Sequence, residues 1–363
     1  MRVVSWLVFL AAAPLAACGD DNALPVPSDA VDATVEGAAD VVVDSPPDVP
    51  ALGDSPFPLP ESGMPMVPCN GDPGACDQTY DAVAYATAHA AMAYAFPPFV
   101  CPAQTMTVRS QLDHGIRALD LEVHTSTSLI DGGSELALCL GSCASGKLPI
   151  RVALSDVSAF LAVNPREIVT LLLEGGVDAG QLAAEIVAAR LDPVALTHRA
   201  GDAWPTLTAM IAAGTRVVVL ADVTGTPPPW MLPLWTTARE TGRAFASPAA
   251  LTCDITRGAA GAPLLLLNEF IVDGEGGSAQ TDDGGTQGTS DGGSEGGAEA
   301  GPPPPPLGAG CDDPALAHVV NAEPFFQNRV TACTQQLGAK PTFVSVDDVE
   351  DGDLSGVIRA INP

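Results

Sequence analysis

Short strand-like apolar runs recur along the chain. They cover Ala82–Ala86, Ala118–Val123, Leu136–Leu140, Ile168–Leu173, Arg216–Ala221, Leu264–Asn268 and Thr342–Val346. Side chains two apart in an extended strand share a face, so these runs predict strands. The stretch "LDLEVH" shows the pattern best. Leu119, Leu121 and Val123 lie on one face, and Asp120, Glu122 and His124 on the other. Between the strands, apolar residues return at spacings of three and four. This predicts helices over Val108–Asp113, Leu154–Val163, Ala179–Leu191, Thr206–Ala213 and Asp353–Ile361. The fourth opens after Trp204-Pro205 and stops at Gly214. Strands alternating with helices imply a parallel sheet. About 250 patterned residues with seven or eight strands suit an α/β fold of the TIM-type (β/α) barrel kind. An open doubly wound sheet is the alternative, but no Gly-rich phosphate loop follows the first strand.

Two segments lack the pattern. Residues 18–66 are rich in Pro, Asp, Ala and Val, with ten acids and no Lys or Arg, and read as a disordered tether. Residues 273–310 are low complexity, with seven acids and no Lys or Arg. They read as a loop insertion within one domain, 67–363, because loop-closure entropy grows slowly with length. The first 17 residues carry one positive charge and an apolar run, a secretory signal. Small residues before Cys18 resemble the bacterial lipoprotein cleavage box, making Cys18 the acylated first residue of a cell-envelope lipoprotein, periplasmic or on the surface side of an outer membrane. The other eight cysteines imply disulfides in an exported chain. The local pairs Cys69–Cys76, Cys139–Cys143 and Cys311–Cys333 are options, with connectivity open. The net charge of −29 and the lack of a basic patch disfavour nucleic acid as a partner, and none is expected.

In parallel barrels the chemistry sits at the carboxyl ends of the strands. Those ends read His89; Asp120, Glu122 and His124; Glu174; Asp222; Asn268 and Glu269; Asp347 and Asp348. Several acids around one mouth repel unless a cation compensates, and a hard ion such as Ca²⁺ is the natural choice. The tryptophans of "GTPPPWMLPLW" (225–235) read as local packing, with a lipid interface as the alternative.

In order along the chain come "YDAVAYATAHAAM", "QLDHGIRALDLEV", "LALCLGSC", "FLAVNPREIVTLLLE", "WPTLTAMIAAGTRVVVLAD", "PLLLLNEF" and "PTFVSVDDV". Together they resemble the phosphatidylinositol-specific phospholipase C X domain and its secreted phosphodiesterase-like relatives. The resemblance implies a barrel with distorted closure and phosphodiester cleavage of an inositol phospholipid through a cyclic phosphate. It implies His89 as general base, Asp347 as its orienter, and a cationic helper that is either Ca²⁺ held by acids or, as in metal-free relatives, an arginine; Asp120, Glu122 and Glu174 favour the Ca²⁺ pattern. Arg117 matches a family arginine beside the strand. Two positions depart from the family pattern. Ala90 stands where Asn or Asp usually follows the first histidine, and Leu140 stands where a second histidine serves as acid. His124 could substitute for the latter. The expected protein is a monomeric phosphodiesterase, membrane-tethered by lipid and acting on a phospholipid or inositol phosphodiester head group. The alternative is a catalytically degenerate barrel that binds at the envelope.

Overall fold

The computed structural model describes residues 68–94, 99–128, 132–243, 245–272 and 314–362. The signal, Cys18, the tether, the insertion and Cys311 lie outside the described residues. In chain order the elements begin β1 (Tyr85–Ala88), α1 (Val108–Asp113), β2 (Ala118–Thr127), β3 (Ser134–Leu138), β4 (Leu148–Pro149) and α2 (Ile150–Val163). There follow β5 (Val169–Asp178), α3 (Ala179–Ala188), α4 (Leu207–Ala213), β6 (Val217–Thr224), β7 (Met231–Pro233), α5 (Leu234–Thr237) and β8 (Ala238–Thr241). The rest are β9 (Ile255–Gly258), β10 (Leu264–Glu269), α6 (Pro314–Asn321), α7 (Phe325–Leu337), β11 (Phe343–Val346) and α8 (Leu354–Ile361).

Eight strands run parallel in the order β7-β6-β5-β2-β1-β11-β10-β8, and antiparallel β9 extends the β8 end. No ladder joins β7 to β8 among the described residues. The four-residue α5 links them directly, so the curled sheet is an α/β barrel left open at one seam. This bears out the expected barrel and its distorted closure. Three details differ from the sequence pattern. The first strand begins at Tyr85, because Tyr80–Ala82 coil into a single 3₁₀ turn. The run Leu136–Leu140 is not a barrel strand; β3 pairs antiparallel with β2 and β4 as an appended hairpin. The short strands β7 and β8 carry too few alternating positions to announce themselves.

Alternation along each strand sorts the core into two layers. Tyr85, Ala118, Leu172, Val218, Leu266 and Phe343 point inward and pack with Tyr80 and Trp204 into an apolar plug. The Tyr80 hydroxyl finds Thr170 Oγ1 at 2.7 Å, so the ring fills the interior without a stranded polar atom. Leu119, Leu121, Leu171, Leu173, Val219 and Val344 face outward onto Leu112, Leu154, Val157, Leu182 and Val330 of the helices. Helices start where side chains accept orphan amides: Thr107 from Ser110, Asp178 from Gln181, Thr206 from Ala209 and Asp353 from Gly356. The fourth helix stops at Gly214, whose φ of 75° only glycine adopts without strain.

Disulfides join Cys69 to Cys76, Cys139 to Cys143, and Cys253 to Cys333. The third differs from the local option Cys311–Cys333. It ties the segment before β9 to α7 across 80 positions, a proximity that only the closed fold creates.

Candidate active site

Above the apolar plug, the same inward positions turn polar. Two residues beyond Thr87 lies His89, and two beyond Ser345 lies Asp347; the register of Ala88 against Val346 sets them side by side. His89 Nδ1 meets Asp347 Oδ1 at 2.7 Å, with both residues nearly excluded from solvent. A carboxylate can only accept, so this contact places the proton on Nδ1 and the basic lone pair on Nε2. The imidazole stacks on Phe270, centroids 3.6 Å apart and planes 7° from parallel. Gln104 Nε2 donates to both His89 O and Val346 O, and Asn321 Nδ2 donates to Asp347 O, so the backbone under the pair is pinned. Ala90 has φ of 41°, in the left-handed region that Asn and Asp tolerate better than Ala. A backbone preference thus contributes to the expectation of Asn or Asp there.

Asp120 and Glu174 rise from the inner faces of β2 and β5, as the sequence pattern expects. Arg243, just past β8, reaches between them. Its Nη1 lies 2.5 Å from Glu174 Oε1 and its Nη2 lies 3.1 Å from Asp120 Oδ2. Arg257 on β9 donates to Glu174 Oε2 at 2.6 Å and to Glu240 Oε1 at 2.7 Å. The antiparallel register of Glu240 opposite Arg257 builds that second contact. Arg257 also lies 3.7 Å above the Trp235 ring. Three carboxylates and two guanidiniums thus interlock at the open seam.

The charges shift one another. Burial pushes the Asp120 carboxyl up to about 7, with Glu174 and Glu240 adding to the rise and Arg243 and His89 opposing it. Burial also raises Glu240, outweighing Arg243 and Arg257. Glu174 is buried too, yet the two arginines hold it below the ordinary carboxylate range. The Arg243 guanidinium is held firmly protonated, because Glu174, Asp120 and Glu240 outweigh its desolvation. Asp120 thus feels the charges of both His89 and Arg243.

Glu122 does not join this cluster as a ligand. Its Oε1 lies 2.8 Å from His124 Nε2, and its Oε2 accepts from the Gly141 amide at 2.9 Å. Burial would raise Glu122, but the His124 and Gly141 hydrogen bonds, with the charges of His124 and Arg243, bring it below its usual value. The expected calcium cradle therefore does not fit this donor set. Two of its acids hold guanidiniums and the third holds His124 and an amide. Among the described residues, no group of three or more acidic, His or Cys side chains is arranged for a metal ion.

Other expected site residues lie elsewhere. Arg117 occupies an outward position at the start of β2. It pairs with Glu167 at 2.6 Å, donates to Leu112 O and Ile116 O, and stacks over Phe160, so it stands apart from the site. It lines a cavity of about 270 Å³, with Val83, Tyr85, His114 and Asn362, whose lining does not include His89. Glu269 also faces outward. It pairs with Arg329 on α7, and burial pushes its carboxyl up to about 8. Leu140 packs against the outer apolar layer and offers no proton. Trp230 rests on that layer and Trp235 lies under Arg257, so neither stands out as a lipid anchor.

Glu240, Arg243, Arg257 and Phe270 escaped the sequence reading. One signal pointed to them. With only 15 basic residues against 44 acids, the arginines of "ARETGRAF" and "DITRGAA" close to a strand were scarce enough to trace.

The fold is a (β/α) barrel with a buried His–Asp pair and an arginine held among carboxylates near the strand ends. The PI-PLC X family model, described as PI-PLC X 1, matches residues 75–269, more than half of the chain, and the chain belongs to that family. Among curated proteins, it is 31% identical over 170 residues to PI-PLC X domain-containing protein 1 of Arthroderma benhamiae, covering 42% of this chain and 50% of that one. It is 33% identical over 130 residues to PI-PLC X domain-containing protein At5g67130 of Arabidopsis thaliana, covering 33% and 29%. A third relative, 32% identical over 169 residues and covering 43% and 35%, is an uncharacterized secreted protein of Arthroderma benhamiae. The chain thus spans half or less of the length of these relatives. Among solved structures, a mutant phosphatidylinositol-specific phospholipase C from Staphylococcus aureus aligns with TM-score 0.49 at 11% identity, covering 78% of this chain and 94% of that one.

Proposed function

We propose that the protein is an exported phosphodiesterase that cleaves an inositol phosphodiester, with His89 as general base and Asp347 holding its tautomer. The observation that carries this reading is the buried 2.7 Å His89–Asp347 contact, with Arg243 held by Asp120 and Glu174 on neighbouring strands. His89 Nε2 takes the proton of the attacking hydroxyl on the inositol ring. Arg243, locked by Asp120 and Glu174 and still 31% exposed, presents its charge to the phosphoryl oxygens. An arginine so placed needs no reorganisation when negative charge builds, and it occupies the role that calcium was expected to fill. The family resemblance supports a cyclic phosphate as first product, and the expected lipid anchor on Cys18 would hold the domain near its substrate.

The test is turnover of a chromogenic inositol phosphodiester. Activity persists in excess EGTA. His89→Ala loses about 10²- to 10⁴-fold, as expected for a general base. Turnover that collapses in EGTA and returns with Ca²⁺ refutes the arginine assignment. Full activity in His89→Ala refutes the base. The degenerate-barrel reading is favoured by one observation, Leu140 packed on the outer layer. It predicts binding of inositol phosphate without turnover.

A further inference from the structure

A second imidazole–carboxylate pair lies further along β2 than Asp120, which the β1–β2 register sets level with His89, and it is left unused by the steps above. Asp120, Glu122 and His124 succeed one another on the same face of β2. The first holds Arg243, the second lies within reach of that arginine's charge, and the third closes the row at the rim. His124 Nε2 is 2.8 Å from Glu122 Oε1, and the two side chains are 29% and 31% exposed. The other carboxylate oxygen is fixed by the Gly141 amide. Gly141 lies inside the five-residue loop closed by Cys139–Cys143, so a covalent ring braces the glutamate that braces the histidine. His124 Nδ1 makes no hydrogen bond to protein among the described residues.

We propose that His124, oriented by Glu122, is the general acid that protonates the leaving alcohol, the role Leu140 cannot fill. The proposal rests on His89 being the base. The inositol hydroxyl oxygen bonds to phosphorus as its proton passes to His89 Nε2. The bond from phosphorus to the leaving oxygen breaks, and its electron pair takes the proton from His124 Nδ1. The products are a cyclic phosphate and a neutral alcohol. His124 regains a proton from water at the exposed rim. The geometry fits an outward-directed leaving group, since His124 lies further out along β2 than Asp120, which holds the arginine. It therefore points to substrates whose leaving group is an alkyl alcohol, such as the glycerol of a lipid.

The experiment compares two substrates. A nitrophenyl inositol phosphodiester releases a stabilised phenolate and needs no acid; phosphatidylinositol in detergent micelles releases an alcohol and does. His124→Gln is expected to lower lipid turnover by about 10²- to 10⁴-fold and to leave nitrophenyl turnover nearly intact. Glu122→Gln, which keeps the side-chain volume, is expected to shift the same ratio in the same direction. Equal losses on both substrates, or no loss on either, overturn the assignment. Nitrophenyl turnover by wild type that is lost in His89→Ala, with lipid turnover indifferent to His124, removes the acid while the base stands. Wild type that cleaves neither substrate overturns both.

Discussion

Arg243 touches Asp120 and Glu174 and lies 3.9 Å from Glu240, so its side chain balances carboxylates from three strands. Removing one partner of a buried ion pair leaves charge without compensation, which costs more than the pair itself contributes. Arg243→Ala is therefore expected to lower stability by about 3 kcal/mol, read from the midpoint of urea unfolding. Arg243→Lys is expected to recover only part of this, because an ammonium cannot fork between two carboxylates. The same residue supports the proposed arginine in place of a metal cation. The acids on β2 and β5 look like metal ligands while their partner, more than sixty positions away in sequence, goes unseen.

At the scale of elements, β5 carries the most constrained stretch near the site. Its pairing with β6 shifts register between Leu173 and Val177, at Glu174-Gly175-Gly176. Gly175 has φ of 125°, and a Cβ there would collide with the Val123 carbonyl of β2. The bulge and the close approach together aim Glu174 at the arginines. Gly175→Ala is expected to cost about 2 kcal/mol or more through strain and clash, with nitrophenyl turnover falling alongside the melting temperature. The Cys253–Cys333 bridge makes a separate contribution, clamping the segment before β9 to α7. Replacing both cysteines by serine is expected to cost about 2–5 kcal/mol in denaturant unfolding, because a long loop regains its freedom in the unfolded chain.

For the whole molecule, the buried acids set the response to pH. Asp120 rises from 3.8 to about 7 and Glu269 from 4.5 to about 8, each chiefly through burial. Such a group keeps its proton in the folded state after the unfolded chain has lost it. Folded stability therefore falls as pH climbs from the ordinary carboxylate values toward 8. Glu174 and Glu122 are lowered and act in the opposite sense, stabilising above their unfolded values and losing that contribution in acid. The melting temperature is expected to peak in mildly acidic buffer and decline toward pH 8. Glu269→Gln, on the outer side of β10, is expected to flatten the alkaline part of that decline. An unchanged slope would contradict the assignment of Glu269.

The apolar runs and the helical periods between them by themselves pointed to parallel strands and the barrel class, because each rests on local backbone geometry. Reading the strand ends brought His89, Asp120, Glu174 and Asp347 to one mouth, and the family resemblance implied that Asp347 pairs with His89. What the tertiary structure alone decided is which partners those acids meet. Arg243 and Arg257 arrive from the irregular segments around β8 and β9, where no period marks an inward position. Cys333 meets Cys253 only after α7 packs across the sheet. Strand faces follow from neighbouring residues, whereas charge pairing and disulfide connectivity depend on distances that exist only when the chain has closed on itself.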